Sequence, residues 1–156
     1  MTTPKAKFAG LALIAALVGV LVSGPAWEAS AAAVLNQNEK LAYANVHDEM
    51  IQCSAYYSLT AELLRKEPNP DKKTIEKLVR LRNYFSNQIA ALGRIIGKKV
   101  EASLATMRLV FKKMLEEINN DSVNFPILFE KYGALCKVVY QNPDSRIKHW
   151  MKEVTK

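Results

Sequence analysis

Leu92-Gly93-Arg94-Ile95-Ile96-Gly97-Lys98-Lys99 is the one candidate break in a helical pattern that otherwise runs from Asp71 to Ile118 without a proline. Ile75, Leu78, Phe85, Ile89 and Leu92 recur at helical spacing, and Ile96, Val100, Leu104, Met107, Phe111, Leu115 and Ile118 continue the same stripe. Taken literally this is one helix of about fifty residues, roughly 75 Å long. Periodic patterns well beyond about 25 residues signal either a coiled coil or a missed turn. Two glycines four apart suit a helix C-cap followed by a turn, and they also suit a place where a neighbouring helix comes close.

The two cysteines, Cys53 and Cys136, choose between a straight helix and a turn. An even cysteine count in an oxidising compartment favours a disulfide. On a straight helix, with the first and last helices folded back on its two halves, Cys53 lies opposite about residue 85 and Cys136 opposite about residue 110, roughly 37 Å apart. A disulfide needs α-carbons within about 7 Å. Turning the chain at Gly93 to Gly97 brings both cysteines to similar heights on adjacent first and fourth helices. The expected fold is therefore all-α, a small up-down-up-down four-helix bundle with a short extra C-terminal helix.

Outward from that turn, the first helix spans about Asn36 to Glu67, with Val46, Met50, Cys53, Tyr57, Ala61 and Leu64 forming one apolar stripe. Glu67-Pro68-Asn69-Pro70-Asp71 ends it and starts the next helix, with Asn69 as cap, Pro70 at the first helical position and Asp71 at the positive end of the dipole. Asn119 to Asn124 is a loop by composition. A helix starting near Pro126 carries Ile127, Leu128, Tyr132, Leu135, Cys136, Val139 and Tyr140, and Asn142-Pro143-Asp144 opens a short final helix from Ser145 to Val154. No strand pattern, longer repeat or low-complexity tract stands beside these helices.

The N-terminal segment sets the compartment. Lys5 and Lys7 precede an uncharged run from Phe8 to Val22, and Ser23-Gly24-Pro25 leads into Ala29-Ser30-Ala31, an A-x-A cleavage site. Residues 1–31 are read as a cleaved signal peptide, with Ala31-Ala32-Ala33 as a second frame that starts the mature chain at Val34. The rival is an uncleaved anchor in the inner membrane. Its helix would cover roughly 22 Å of a hydrocarbon core about 30 Å thick. Export to the periplasm or the extracellular space is the expectation, with residues 32–156 as a single helical domain.

The chain carries 22 Lys and Arg against 15 Asp and Glu, a formal charge of +7, and removal of Lys5, Lys7 and Glu28 leaves +6. An exported basic protein meets anionic lipid, cell-wall polymers or an acidic protein rather than nucleic acid. In the bundle the turn at Gly93 to Lys99 and the far end of the last helices share one pole, gathering Arg94, Lys98, Lys99, Arg146, Lys148 and Lys152 beside Trp150. Basic residues around a tryptophan suit an anionic surface. The plainer reading of the same lysines is solvated charge at helix ends, where the dipole favours it.

Motifs for catalysis are missing: no G-x-S-x-G, Gly-rich phosphate loop, C-x-x-C or H-E-x-x-H occurs, so no enzyme and no cofactor are expected. His47-Asp48-Glu49 reads as a solvated face, because helix neighbours point about 100° apart. One alternative is a haem or metal site built from His47, Met50 and His149, the sort of ligand set bundles place between facing helices. Against it, Met50 sits in the apolar stripe, where methionine fills gaps. The tyrosines Tyr43, Tyr56, Tyr57, Tyr84, Tyr132 and Tyr140 are numerous enough to line a ligand groove, but the preferred reading is packing, with hydroxyls reaching the bundle edge.

Overall fold

A computed structural model describes residues 35–156. The expected signal segment and both expected cleavage points lie outside those residues. Every element among the described residues is helical: α1 (Gln37–Arg65), α2 (Lys72–Ile96), α3 (Val100–Glu117), a 3₁₀ turn (Ser122–Asn124), α4 (Phe125–Leu128), a π-helical turn (Phe129–Gly133), α5 (Ala134–Gln141) and α6 (Pro143–Val154). No helix among them is long and apolar enough to cross a membrane.

The chain turns where the two glycines stand. Gly97 ends α2 in the left-handed region at φ 73°. The Lys98 N–H donates to the Gly93 carbonyl at 2.7 Å and the Gly97 N–H to the Arg94 carbonyl at 3.3 Å, which is the Schellman pairing. Gly93 does the other job glycine can do. It is buried inside α2, and a Cβ there would stand 3.1 Å from the Lys98 carbonyl oxygen and 3.8 Å from His47 Nε2. α3 stops by the same device with asparagine in place of glycine: Asn119 and Asn120 have φ of 54° and 56°. The Asn120 N–H donates to the Leu115 carbonyl at 2.8 Å.

Cys53 and Cys136 are bonded, with α-carbons 5.3 Å apart, and tie α1 to α5. Both are fully buried. A straight helix through residues 71–118 is thereby excluded.

α1 is the hub, since α2, α3, α5 and α6 all pack against it. This corrects the single stripe expected for it. Val46, His47, Glu49, Met50, Ile51, Cys53, Ser54, Ala55 and Tyr56 are all buried, and at 100° per residue they point to every side. The stripe was blurred because polar residues occupy buried positions with partners of their own. α2 keeps the simple pattern, burying Ile75, Phe85, Ile89 and Leu92. α3 buries only Ser103 and Met114, and leaves Val100, Leu104 and Leu109 exposed.

Three local expectations also change. Asp71, not Asn69, caps α2: its Oδ1 accepts from the N–H groups of Lys73 and Thr74 at 3.0 and 3.2 Å, and Oδ2 from the Thr74 hydroxyl at 2.6 Å. A carboxylate at N-cap satisfies two orphan donors and meets the dipole at once, so it outcompetes the amide two residues earlier. The helix expected from Pro126 onward contains the π turn Phe129–Gly133. α6 begins at Pro143 rather than Ser145, with Asn142 accepting from the Ser145 N–H at 3.1 Å.

Candidate functional site

Three consecutive residues of α1 reach toward different neighbours, as helix geometry requires of His47, Asp48 and Glu49. His47 is fully buried. Its Nε2 lies 3.0 Å from Ser103 Oγ on α3, and its Nδ1 3.2 Å from Asp48 Oδ1. A carboxylate only accepts, so in the neutral ring Nδ1–H donates to Asp48 and Nε2 accepts from the Ser103 hydroxyl. Asp48 also receives Lys98 Nζ at 3.0 Å. The hydrogen bond from His47 holds the Asp48 carboxyl below its ordinary value of 3.8; partial burial opposes this and Lys98 reinforces it.

Glu49 is 6% exposed, and its carboxylate accepts from two side chains of α6. Arg146 of α6 grips it with two donors, Nε to Oε2 at 3.0 Å and Nη2 to Oε1. Trp150 Nε1 donates to the same Oε1 at 2.9 Å. The planar guanidinium matches a carboxylate bidentately, which makes this the strong form of the ion pair. The Arg146 Cζ also stands 6.0 Å from the Trp150 ring centroid, at the outer reach of a cation–π contact. Hydrogen bonding to Glu49 raises the Arg146 pKa further above its already high ordinary value.

The basic residues expected at one pole therefore divide. Lys98 is half-buried and tied to Asp48, while Arg146 and Trp150 are half-buried and tied to Glu49. Arg94, Lys99, Lys148 and Lys152 are exposed. The Gly97 turn and α6 both attach to the first half of α1, through the adjacent residues Asp48 and Glu49. The anchoring acids were the part missed from sequence, where His47-Asp48-Glu49 reads as a solvated face. A buried Glu beside a stripe carries no signal until its arginine, 97 residues away, is known to be near.

The alternative ligand set finds three different surroundings. His47 has both ring nitrogens engaged, Met50 lies in the apolar core at 2% exposure, and His149 is exposed with its ring edge-on to Trp150 at 5.3 Å. Among the described residues no group of three His, Cys, Asp or Glu is placed to hold a metal ion.

The tyrosines are partly what the sequence suggests. Tyr132 is buried with its hydroxyl donating to Glu117 at 3.1 Å, and Lys131 Nζ meets the same carboxylate at 2.7 Å. Tyr56, Tyr57, Tyr84 and Tyr140 join Phe85 and Phe125 in one connected aromatic cluster. No protein-family model matches the chain, and comparisons with curated proteins and with solved structures find no similar one.

Proposed function

We propose that this chain is an exported, non-enzymatic binding protein. In this reading residues 1–31 are a signal peptide removed on export, residues 32–156 form a four-helix up-down-up-down bundle with α6 appended, and the basic pole docks an anionic membrane surface or an acidic protein. The observation that carries it is the buried Cys53–Cys136 disulfide, which joins segments 83 residues apart. Such bonds persist where the surroundings are oxidising and are rare where thiols are kept reduced. The charged start, apolar run and A-x-A site support the same compartment. Arg94, Lys99, Lys148 and Lys152 support the pole, because their side chains stand exposed while Lys98 and Arg146 are already paired.

The test is made on native protein recovered from the exported fraction. N-terminal sequencing is expected to begin at Ala32, or at Val34 for the second frame, and denatured, unreduced protein is expected to show no reactive thiol. Membrane-bound material that retains Met1 or Thr2 would replace the released protein with an anchored one. Two titratable thiols in that material would remove the observation on which export rests.

A further inference from the structure

A second feature lies along the second half of α1, beyond the basic pole's anchors Asp48 and Glu49. α1, α2 and the α4–π–α5 segment enclose an open groove of about 530 Å³, within the ordinary range of roughly 300–1,000 Å³ for small-molecule sites. Five rings line it, Tyr56 and Tyr57 from α1, Phe125 and Phe129 from the first turns after the 3₁₀ segment and Tyr140 from α5, with Leu64, Leu78 and Leu81 completing the apolar wall. Tyr56 and Phe125 face each other nearly parallel, 10° apart in plane with centroids at 6.3 Å. Phe129 is 62% exposed, an unusual position for a phenylalanine with a core nearby.

What holds Phe129 there is the π turn and the glycine that ends it. A Cβ at Gly133 would come within 3.3 and 3.5 Å of the Phe129 ring and 3.7 Å of the Tyr56 hydroxyl. Gly133 thus leaves room for that ring to lie across the backbone at the groove's edge. π turns occur as single insertions inside helices and concentrate at functional sites.

Charge decides the occupant. Two lysines, Lys77 of α2 and Lys137 of α5, line the groove from different helices, and no carboxylate lines it. Asp71, which accepts from the lining residue Thr74, is committed to the α2 cap. Burial, then the neighbouring hydroxyls of Tyr56 and Tyr140, pushes the Tyr57 hydroxyl upward in pKa, so it remains a neutral donor. We propose that this groove binds a small aromatic anion, its flat ring body against Tyr56, Tyr57, Phe125 and Phe129 and its single negative group at Lys77 and Lys137. The site is independent of the basic pole and needs neither export nor a membrane partner.

The probes are 2-naphthoate, its neutral counterpart 2-naphthalenemethanol, and dodecanoate, titrated into the full mature domain by calorimetry. Naphthoate is expected to bind, and the Lys77→Gln, Lys137→Gln double variant to weaken it by about tenfold while leaving the neutral alcohol unchanged. Phe129→Ala is expected to weaken both aromatic probes with an unchanged thermal melt, because that side chain lies outside the core. Gly133→Ala is expected to do the same by displacing the ring. Naphthoate binding undiminished in the lysine double variant would overturn the proposal, as would dodecanoate binding more tightly than naphthoate. No naphthoate binding, combined with self-association that Phe129→Ala abolishes, would assign the groove to a second copy of the chain instead.

Discussion

Glu49 shows how much of this molecule rests on one buried charge. Its carboxylate accepts from Arg146 twice and from Trp150 once, and these bonds hold α6 against α1. Removing one member of a buried ion pair leaves the other without compensation, which costs about 3–5 kcal/mol in full burial. Arg146 is still 19% exposed, so water recovers part of that. Glu49→Ala is expected to destabilise the domain by about 2–3 kcal/mol in chemical denaturation. The Glu49→Ala, Arg146→Ala pair should cost less than the two single losses added together, since the second change removes the stranded charge. Trp150 is the sole tryptophan beyond the expected signal segment, so its emission should shift to the red in Glu49→Ala. Asp48 adds a pH dependence. Its folded pKa is depressed, by His47 first and Lys98 after, so its contribution is present above the ordinary value of 3.8 and is lost as pH falls through the lower folded value. Asp48→Asn is expected to flatten that acid limb in a series of melts between about pH 5 and pH 2. An acid limb identical to wild type would mean that Asp48 titrates alike in both states.

At the scale of elements, the hairpin between α2 and α3 gives each glycine a different task, and the two tasks predict different costs. Gly97 needs the left-handed region, which costs a side-chain-bearing residue about 1–2 kcal/mol, so Gly97→Ala should lower stability by about that much and leave the fold intact. Gly93→Ala should cost more. Its Cβ would press on the Lys98 carbonyl oxygen at 3.1 Å, which is backbone and cannot swing aside, in the turn whose Lys98 N–H bonds back to Gly93. The loss should also loosen His47 from Ser103, measurable as faster amide exchange across the start of α3. An equal or smaller loss than for Gly97→Ala would show the turn to be more compliant than its contacts indicate. Both glycines were legible in the sequence as a break, and the cysteines made the break necessary, yet which glycine caps and which makes room depends on contacts from α1 and α3. The π turn was not legible at all, because Ile127, Leu128, Tyr132, Leu135, Cys136 and Val139 keep helical spacing through it. The central place of α1 was hidden for a related reason: His47, Glu49, Ser54 and Thr60 are buried polar residues, and a stripe counted on apolar letters passes over them. Capping at Asp71 was misplaced by two residues since Asn69, Pro70 and Asp71 all suit a helix start, and the hydrogen bonds to Lys73, Thr74 and the Thr74 hydroxyl decide among them.

For the whole molecule two terms matter, the covalent tie and the summed charge. The disulfide closes a loop of 83 residues in sequence separation, and in the chain-entropy account it contributes about 4.5 kcal/mol. The Cys53→Ser, Cys136→Ser variant should therefore melt well below the oxidised protein, and wild type should fall toward it on reduction. Charge acts outward instead. With residues 1–31 removed the domain carries +6, and Lys98 and Arg146 are neutralised by Asp48 and Glu49. On the proposed reading, the attraction of the pole rests on Arg94, Lys99, Lys148 and Lys152, since reversing Lys98 or Arg146 would confuse lost binding with lost structure. Each basic residue near an anionic surface is worth about 1 kcal/mol, an effect that decays over a Debye length of about 8 Å at physiological salt. The informative variant is Lys99→Glu, Lys148→Glu, Lys152→Glu, in which three exposed cations become anions while both structural ion pairs stay in place. Wild type is expected to sediment with anionic vesicles at low salt, to be released at high salt, and to ignore neutral vesicles. The triple reversal is expected to stay in the supernatant at every salt concentration with an unchanged melt. Sedimentation untouched by the reversal would place the lipid contact elsewhere, and no sedimentation of wild type at low salt would leave these lysines as the charge that keeps the domain in solution.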